Sequence, residues 1–294
     1  MDPGLLLEYA KKFQINPSIV YWAEIAAIKI WRKITFSRSA ADFNMHENTV
    51  TQNLIYSFWE LAITRVFPVQ LYQAKNERAN GNDIEIAIQT ANGYLLFPSQ
   101  AKIVNKKGSY PGIRHKVAGK LQIDRLLEYG HRVAGIPIYL FYNFGDNPER
   151  NEALENKFSL DVQRLGCSIF PAEFLKHNFY RTATNRWSIP DFYRLHHLLA
   201  IPFGNLFELI NSNTMPGLNL AAYSAGTKFY SKDEITNKNY WRNLTPPPSI
   251  GRIPIKDHNR ISLPTFESED SGFNPAFRVV FSIERENATI VRMS

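Results

Sequence analysis

The sequence has little of what several classes of protein depend on. Its 294 residues include one cysteine, Cys167, which excludes an intramolecular disulfide and a zinc site built from cysteines. No stretch approaches the roughly 20 consecutive apolar residues that a membrane helix needs. The N-terminus, with an early acid and only three consecutive leucines, does not fit a signal peptide. We therefore expect a cytoplasmic protein with no membrane partner.

The motifs of several enzyme classes are also missing. There is no Walker A lysine followed by serine or threonine, no Gly-rich dinucleotide fingerprint, and no serine in a nucleophile elbow. The pair His196-His197 and the scattered His115, His131 and His177 lack the spacing of metal ligands. This disfavours an NTPase, a Rossmann enzyme, a serine hydrolase and a histidine-built metal site.

Acidic residues are absent from one long interval of a basic chain. The formal net charge is +7, and no aspartate or glutamate occurs between Glu85 and Asp124. Because a phosphate backbone attracts such a stretch of one sign, we expect a nucleic acid partner; the alternative is a solvated lysine-rich loop. The residues expected to contact phosphates are Lys106, Lys107, Arg114, Lys116 and Lys120.

The spacing of apolar residues predicts an α/β domain. Between Asp83 and Ile88 the pattern has the period of a strand, and Asn92-Gly93 favours a hairpin turn before a return strand over 94–104. Together with the elements around this hairpin, the order is α-β-β-α-β-α-β, which is typical of a layered domain. The other predicted elements are helices over 17–32, 46–63, 114–132 and 149–165 and strands over 136–142 and 167–170.

We divide the chain into three regions. Residues 1–45 form a helical N-terminal extension, 46–175 the core, and 176–294 a less regular C-terminal region of unknown role. Within the last region, 245–264 is proline-rich and is interpreted as a strap or linker. The apolar runs 277–283 and 289–291 predict a terminal hairpin.

The predicted hairpin carries a set of polar residues that suits metal-dependent phosphodiester chemistry. Asp83 and Glu85 share one face of its first strand, and Gln100 and Lys102 share one face of its second. If the two faces coincide, oxygen ligands for a hard cation lie beside an ammonium group.

This arrangement resembles the PD-(D/E)XK nuclease superfamily, in which an aspartate precedes an acid-X-lysine triplet on the next strand. Here the run is Asp83…Gln100-Ala101-Lys102, so glutamine replaces the middle acid. Glu47 resembles the helical glutamate of many members, and Gln122 the glutamine that RecB-like members carry after the lysine. The resemblance covers about residues 46–170. It extends to bacterial proteins with a Gln-Ala-Lys motif, to which a role in defence against phage is ascribed.

The resemblance implies a restriction-endonuclease-like mixed sheet flanked by helices, and a Mg²⁺- or Mn²⁺-dependent endonuclease acting on DNA rather than RNA. Asp83 would be the principal metal ligand, with Gln100, the Ala101 carbonyl and Glu47 as further ligands. Lys102 would orient water and stabilise charge on the phosphate. Because Gln100 is a weaker ligand than a carboxylate, activity would depend on Glu85 or Glu47. Gln122 would contact nucleic acid.

Two other functions remain open. The Gln100 replacement favours a catalytically weak nuclease-fold protein that binds nucleic acid or scaffolds a complex. Residues 40–54 also fit a helix-turn-helix pattern, in which Thr49 and Gln52 would read a DNA groove. In the nuclease interpretation the chain is an effector subunit in a bacterial anti-phage or restriction system. Its helical N-terminus or its C-terminal third would bind a regulatory protein or mediate homodimerisation.

Overall fold

A computed structural model describes most of the chain, in segments separated by short and long gaps. Asp83 and most of the proline-rich 245–264 stretch lie outside the described residues, as does 289–291. The described residues are 18–40, 44–64, 67–74, 84–117, 119–181, 184, 186–209, 227–237, 240–245 and 275–282.

The centre of the fold is a mixed sheet of eight strands. The strands of the described residues are β1 Val69–Ala74, β2 Ile84–Thr90, β3 Gly93–Ile103, β4 Lys116–Val117, β5 Lys120–Leu121, β6 Ile138–Tyr142, β7 Cys167–Pro171, β8 Tyr180–Arg181, β9 Arg186–Trp187, β10 Ile201–Pro202, β11 Trp241–Asn243 and β12 Phe277–Phe281. The order in the sheet is β10-β7-β6-β3-β2-β12-β1-β11, and two short hairpins, β4–β5 and β8–β9, lie outside it.

Helices flank the sheet, and side-chain caps mark where several of them begin. The helices of the described residues are α1 Ile19–Ser39, α2 Glu47–Thr64, α3 Gln122–Arg132, α4 Pro148–Phe158, α5 Ala172–Phe179, α6 Phe192–Leu198 and α7 Lys232–Ile235. The Ser18 hydroxyl accepts a hydrogen bond from the Tyr21 amide at 3.1 Å, which satisfies a backbone donor in the first turn of α1. Asn147 caps α4 in the same way, ahead of Pro148.

The predicted β2–β3 hairpin is confirmed. The two strands are antiparallel with Ile84 opposite Ser99 and Thr90 opposite Gly93. Gly93 has a φ of 124°, a conformation that residues with a Cβ rarely adopt, so the glycine of Asn92-Gly93 is needed for this turn. Alternation along β2 places its isoleucines in the main core and turns Glu85 and Ala87 to the opposite face.

The last strand lies in the middle of the sheet. β12 pairs in parallel with β2 and antiparallel with β1. Both edges of β12 are therefore occupied, by β1 and by β2. The predicted terminal hairpin, in which 277–283 pairs with 289–291, is wrong about the strands that 277–281 pairs with. Local apolar pattern identified the strand but could not identify neighbours that lie about 200 residues away in the chain.

The predicted helix over 114–132 is correct only from Gln122 onward. A 3-10 turn at Pro111–Arg114 and the β4–β5 hairpin precede it. Gly119, with a φ of 79°, lies in the turn of this hairpin. The Arg125 guanidinium donates to the Val117 carbonyl at 2.7 Å and ties the hairpin back to α3.

The fold class is confirmed as mixed α/β, with a large mixed sheet and a helical N-terminal part. One hydrophobic cluster joins residues of α1, of the central strands and of β10 and β12. The boundaries predicted at residues 45 and 175 therefore fall within a shared core. In the part of the chain that is described, the helices are too short or too polar to cross a membrane.

Candidate functional site

Lys102 and Glu47 meet at the end of β3. The Lys102 side chain emerges near the end of an almost wholly buried strand and is 6% exposed, whereas that of Glu47 is 23% exposed. The Lys102 Nζ donates to the Glu47 Oε1 at 3.4 Å. Because Glu47 is the first residue of α2, its carboxylate is also favoured by the positive end of the helix dipole. The predicted convergence of a helical glutamate with the strand lysine is present.

Gln100 precedes Lys102 by two residues and shares its face of β3. It is 5% exposed, and no described residue hydrogen bonds its side-chain amide. The intervening Ala101 points to the other face and is buried in the main core. On the neighbouring parallel strand β6, Gln100 is opposite Tyr139 and Lys102 is opposite Phe141. The side chain of Gln100 therefore lies beside an aromatic residue of β6.

The position of Glu47 is set by the packing of α2 on the sheet. Val50 and Phe58 are buried, and the Thr51 hydroxyl lies 3.0 Å from the Tyr142 hydroxyl at the end of β6. Burial raises the pKa of Tyr142 well above its ordinary value, so this group remains a neutral hydroxyl. The first turn of α2 is thus fixed over the ends of β3 and β6. Thr49 is exposed and Gln52 is half-buried, so both residues that the helix-turn-helix interpretation expects to read DNA are accessible.

A tight turn after β3 holds two lysines at the same end of the sheet. The Asn105 Oδ1 accepts from the backbone amides of Lys107 at 2.9 Å and Ser109 at 3.0 Å. Gly108, with a φ of 73°, permits the reversal. The Arg38 guanidinium donates to the backbone carbonyls of residues 104 and 105 from the end of α1. Lys106 and Lys107 are therefore exposed on a turn that is anchored by hydrogen bonds from two sides.

These elements enclose a cleft of about 600 Å³. Its charged groups are one carboxylate, on Glu47, and four cations, so the described lining carries a net charge of about +3 when His46 is neutral. Burial lowers the pKa of the Arg38 guanidinium and Asp146 opposes that shift, which leaves arginine charged at any ordinary pH. The described lining residues are Ile34, Ser37, Arg38, Asn44, Met45, His46, Glu47, Lys102, Ile103, Val104, Asn105, Lys106, Lys107, Pro111 and Gly112.

Glu85 belongs to a different cluster. It is fully buried, and its Oε2 accepts from the Arg278 Nε at 2.7 Å and also from Nη2. The Tyr129 hydroxyl donates to its Oε1 at 3.3 Å. Glu85 lies opposite Pro98, four residues from Lys102, which is about 13 Å along the strand. The structure assigns Glu85 to an ion pair that holds β2 to β12, in place of the catalytic role expected for it.

The other predicted phosphate contacts lie on and around the β4–β5 hairpin. Arg114, Lys116 and Lys120 are exposed, and Lys120 forms an ion pair with Glu128. Gln122 is the first residue of α3, and its Oε1 is buried with no hydrogen-bond partner in the described part of the chain. Of the predicted nucleic-acid contacts, Lys106 and Lys107 are the ones found among the described lining of the cleft.

The oxygen-bearing side chains near Lys102 are the possible ligands for a cation. The described residues contain no group of three histidine, cysteine, aspartate or glutamate side chains arranged to hold a metal ion. Glu47 contributes one carboxylate at the cleft, and Gln100 contributes an amide oxygen without a described partner. Asp83, the predicted principal ligand, lies outside the described residues and is joined in sequence to Ile84 at the start of β2. These oxygens are of the kind that Mg²⁺ and Mn²⁺ prefer.

The comparisons with known proteins identify the family without a function. A family model described as "Family of unknown function (DUF6615)" matches residues 22–280. The chain belongs to this family. No curated protein and no solved structure matches the DUF6615 chain. The matched range includes the residues from Glu47 to Lys102 and also Arg278.

Sequence reasoning missed three residues that shape the site. Arg38 and Asn105 organise the lysine turn, and His46 contributes an exposed imidazole next to Glu47. The adjacency of His46 to Glu47 and of Asn105 to Lys106 was visible in the sequence. The approach of Arg38 to residues 104 and 105 was not, because it depends on how α1 packs against the sheet.

Proposed function

We propose that this DUF6615 chain is a divalent-metal-dependent nuclease that hydrolyses phosphodiester bonds of DNA. The observation that carries the proposal is the meeting of Lys102 with the Glu47 carboxylate at the end of β3, with Gln100 on the same face. The basic lining of the adjacent cleft supports a phosphate-bearing substrate.

In this proposal Lys102 is the catalytic cation. Its ammonium group donates to a non-bridging oxygen of the phosphate and stabilises the negative charge that develops there. Because the side chain is almost wholly buried, few waters screen this interaction. Arg38, Lys106 and Lys107 bind the flanking phosphates and orient the strand.

Glu47, Gln100 and Asp83 would hold the cation. When bound, Mg²⁺ or Mn²⁺ would polarise the phosphoryl group and help to generate a nucleophile. Glu47 would then leave its present contact with Lys102, in part or in full, to share its charge with the cation. The proposed site therefore depends more on Asp83 and Glu47 than on the neutral Gln100.

Cleavage of DNA by the purified chain tests the proposal. Labelled single- and double-stranded oligonucleotides are incubated with Mg²⁺ or Mn²⁺ and with EDTA. We expect metal-dependent products that are lost in Lys102→Met and Asp83→Ala and retained in Lys232→Met, which removes an exposed lysine of α7 outside the described cleft lining. Undiminished cleavage by Lys102→Met, with the same metal dependence, would rule out this site.

A second candidate function follows from the sparse ligand set. With Gln100 in place of an acid and no three-ligand group among the described residues, the chain is also suited to bind nucleic acid without turnover. That function predicts salt-dependent binding and no products with either metal, in wild type and variants alike.

For the cellular role we propose an effector in bacterial defence against phage, on the strength of the sequence resemblance. Cytoplasmic placement and regulation by a protein partner or by homodimerisation belong to the same proposal. Expression in a bacterial host, challenged with a phage panel, should reduce plaque formation for at least one phage. The reduction should disappear with Lys102→Met at equal protein level.

A further inference from the structure

The reactive groups of the cleft lie at depth. The cleft has a volume of about 600 Å³, and both Lys102 and Glu47 line it. The Lys102 side chain is 6% exposed. A phosphate can therefore reach the Lys102 Nζ only if the strand that carries it enters the cleft.

The composition of the walls matches one nucleic acid strand. The half-buried residues Met45, Ile103 and Pro111 supply apolar surface, against which an unstacked base can pack. Cations lie within and beside the same space, on Arg38, Lys102, Lys106 and Lys107. Single-strand sites combine a positively charged groove that follows the backbone with side chains, usually aromatic, on which bases stack; here the groove is positively charged and its described apolar wall is aliphatic.

The turn that carries Lys106 and Lys107 is held in place by hydrogen bonds within the protein. Asn105 and Gly108 fix its backbone, and Arg38 anchors it to α1. The Phe192 amide donates to the Gly108 carbonyl at 3.0 Å and ties the turn to α6 as well. Lys106 and Lys107 therefore lose little backbone freedom on binding, which favours affinity for a strand that passes this point.

We propose that the cleft takes a segment of single-stranded DNA and excludes a paired duplex. The inference rests on the proposed function for the identity of its substrate. The strand enters between the first turn of α2 and the turn that follows β3. Its phosphates pair with Lys106, Lys107 and Arg38, and its bases pack against Met45 and Pro111. A duplex becomes a substrate only where its strands have separated.

Binding without metal tests the inference separately from catalysis. Fluorescence anisotropy in EDTA compares a labelled single strand with a blunt duplex of the same length and sequence. We expect the single strand to bind at least tenfold more tightly. Removing two lysines in Lys106→Ala/Lys107→Ala should weaken that binding about tenfold and reduce the salt slope by about 1.4, at about 0.7 per phosphate contact.

The matched control removes the same charge from the neighbouring hairpin. Lys116→Ala/Lys120→Ala should weaken single-strand binding by much less than the first pair. Equal losses for the two pairs, or a duplex that binds as tightly as the single strand, would overturn the inference and leave the nuclease proposal standing. With metal, circular single-stranded DNA should be cut at least tenfold faster than closed circular duplex. If neither is cut while the binding preference holds, the nuclease proposal fails and the cleft assignment survives.

Discussion

Two acid–base pairs lie along the central strands, and they differ in almost every physical respect. Glu85 and Arg278 are buried, joined by two guanidinium hydrogen bonds, and supported by Tyr129, by the Ile235 carbonyl and by the Trp241 ring. Glu47 and Lys102 are joined by one long contact of 3.4 Å beside an open cleft. The same chemical types serve a structural role in the first pair and remain available for a ligand in the second.

The difference shows how a carboxylate on the expected face of the expected strand can be unsuitable for catalysis. A buried carboxylate that already accepts three hydrogen bonds, two of them from a guanidinium, has little acceptor capacity left for a cation and gains little by releasing its partner. Glu47 has one weak partner and partial exposure. The number of existing partners separates the two glutamates better than their position in the sequence does.

The largest effect is expected from breaking the buried pair. Arg278→Ala leaves Glu85 charged and unpaired in the core and should lower the free energy of unfolding by about 3–5 kcal/mol. Urea denaturation measures it. The double variant Glu85→Leu/Arg278→Met should recover part of the loss, because neither charge is then left alone. Equal stability of Arg278→Ala and wild type would show that the pair is not structural.

The second largest effect is expected from removing the charge of Lys102 in the pair with Glu47. Lys102→Met should lower kcat/KM for DNA cleavage by about 10²–10³-fold, the usual loss when one donor to developing charge is removed. Its urea midpoint should stay close to that of wild type. A large fall in the stability of Lys102→Met, with a matching fall in the fraction of active protein, would show that Lys102 has a structural role like that of Arg278.

Acid is expected to weaken the fold independently of either pair. Burial lowers the pKa of His196 from its ordinary value of about 6.5 to about 4. Below about pH 6.5, His196 binds a proton in the unfolded chain, whereas in the folded chain it stays neutral down to about pH 4. The free energy of unfolding therefore falls as the pH falls through this window. Between pH 7 and pH 5 the loss should be about 2 kcal/mol. Urea denaturation of His196→Gln at pH 7 and at pH 5 should show a smaller loss of stability between these two pH values than in wild type.

The smallest effect concerns Glu47 itself. Glu47→Gln should change the free energy of unfolding by about 1 kcal/mol or less, because a partly exposed pair with one long contact contributes little. Cleavage should fall together with the affinity for Mn²⁺, which a titration of activity against metal concentration measures. Unchanged metal dependence would remove Glu47 from the proposed ligand set.

Local signals in the sequence predicted a substantial part of the fold. Asn92-Gly93 located the β2–β3 turn, and apolar spacing located α2 and β6. The start of α3 was predicted too early, since residues from Arg114 to Leu121 combine helical spacing with Gly119 at positive φ. β1 gave no signal that was recognised, because its alternation is short and interrupted by glutamine.

The pairing of distant residues could not be predicted. The local sequence around Glu85 does not show whether this residue faces a cleft or Arg278, because Glu85 and Arg278 are 193 positions apart. Lys102 and Glu47 were expected to converge only through the family resemblance, not through any local rule. The cleft itself depends on Arg38 meeting the turn after β3, a contact set by helix packing. The sequence therefore left the tertiary contacts open, and these contacts decide the role of each glutamate.

The central place of β12 has a consequence for how the molecule forms. β1 and β2 are joined through β12, which is made some 190 residues after β2 and contacts both over its whole length. Until those residues are available, the sheet consists of two unjoined parts and the Glu85 carboxylate has no guanidinium. Folding dominated by such distant contacts is slow. A ribosome making this chain therefore completes β3, the strand that carries Gln100 and Lys102, long before the sheet around it can close.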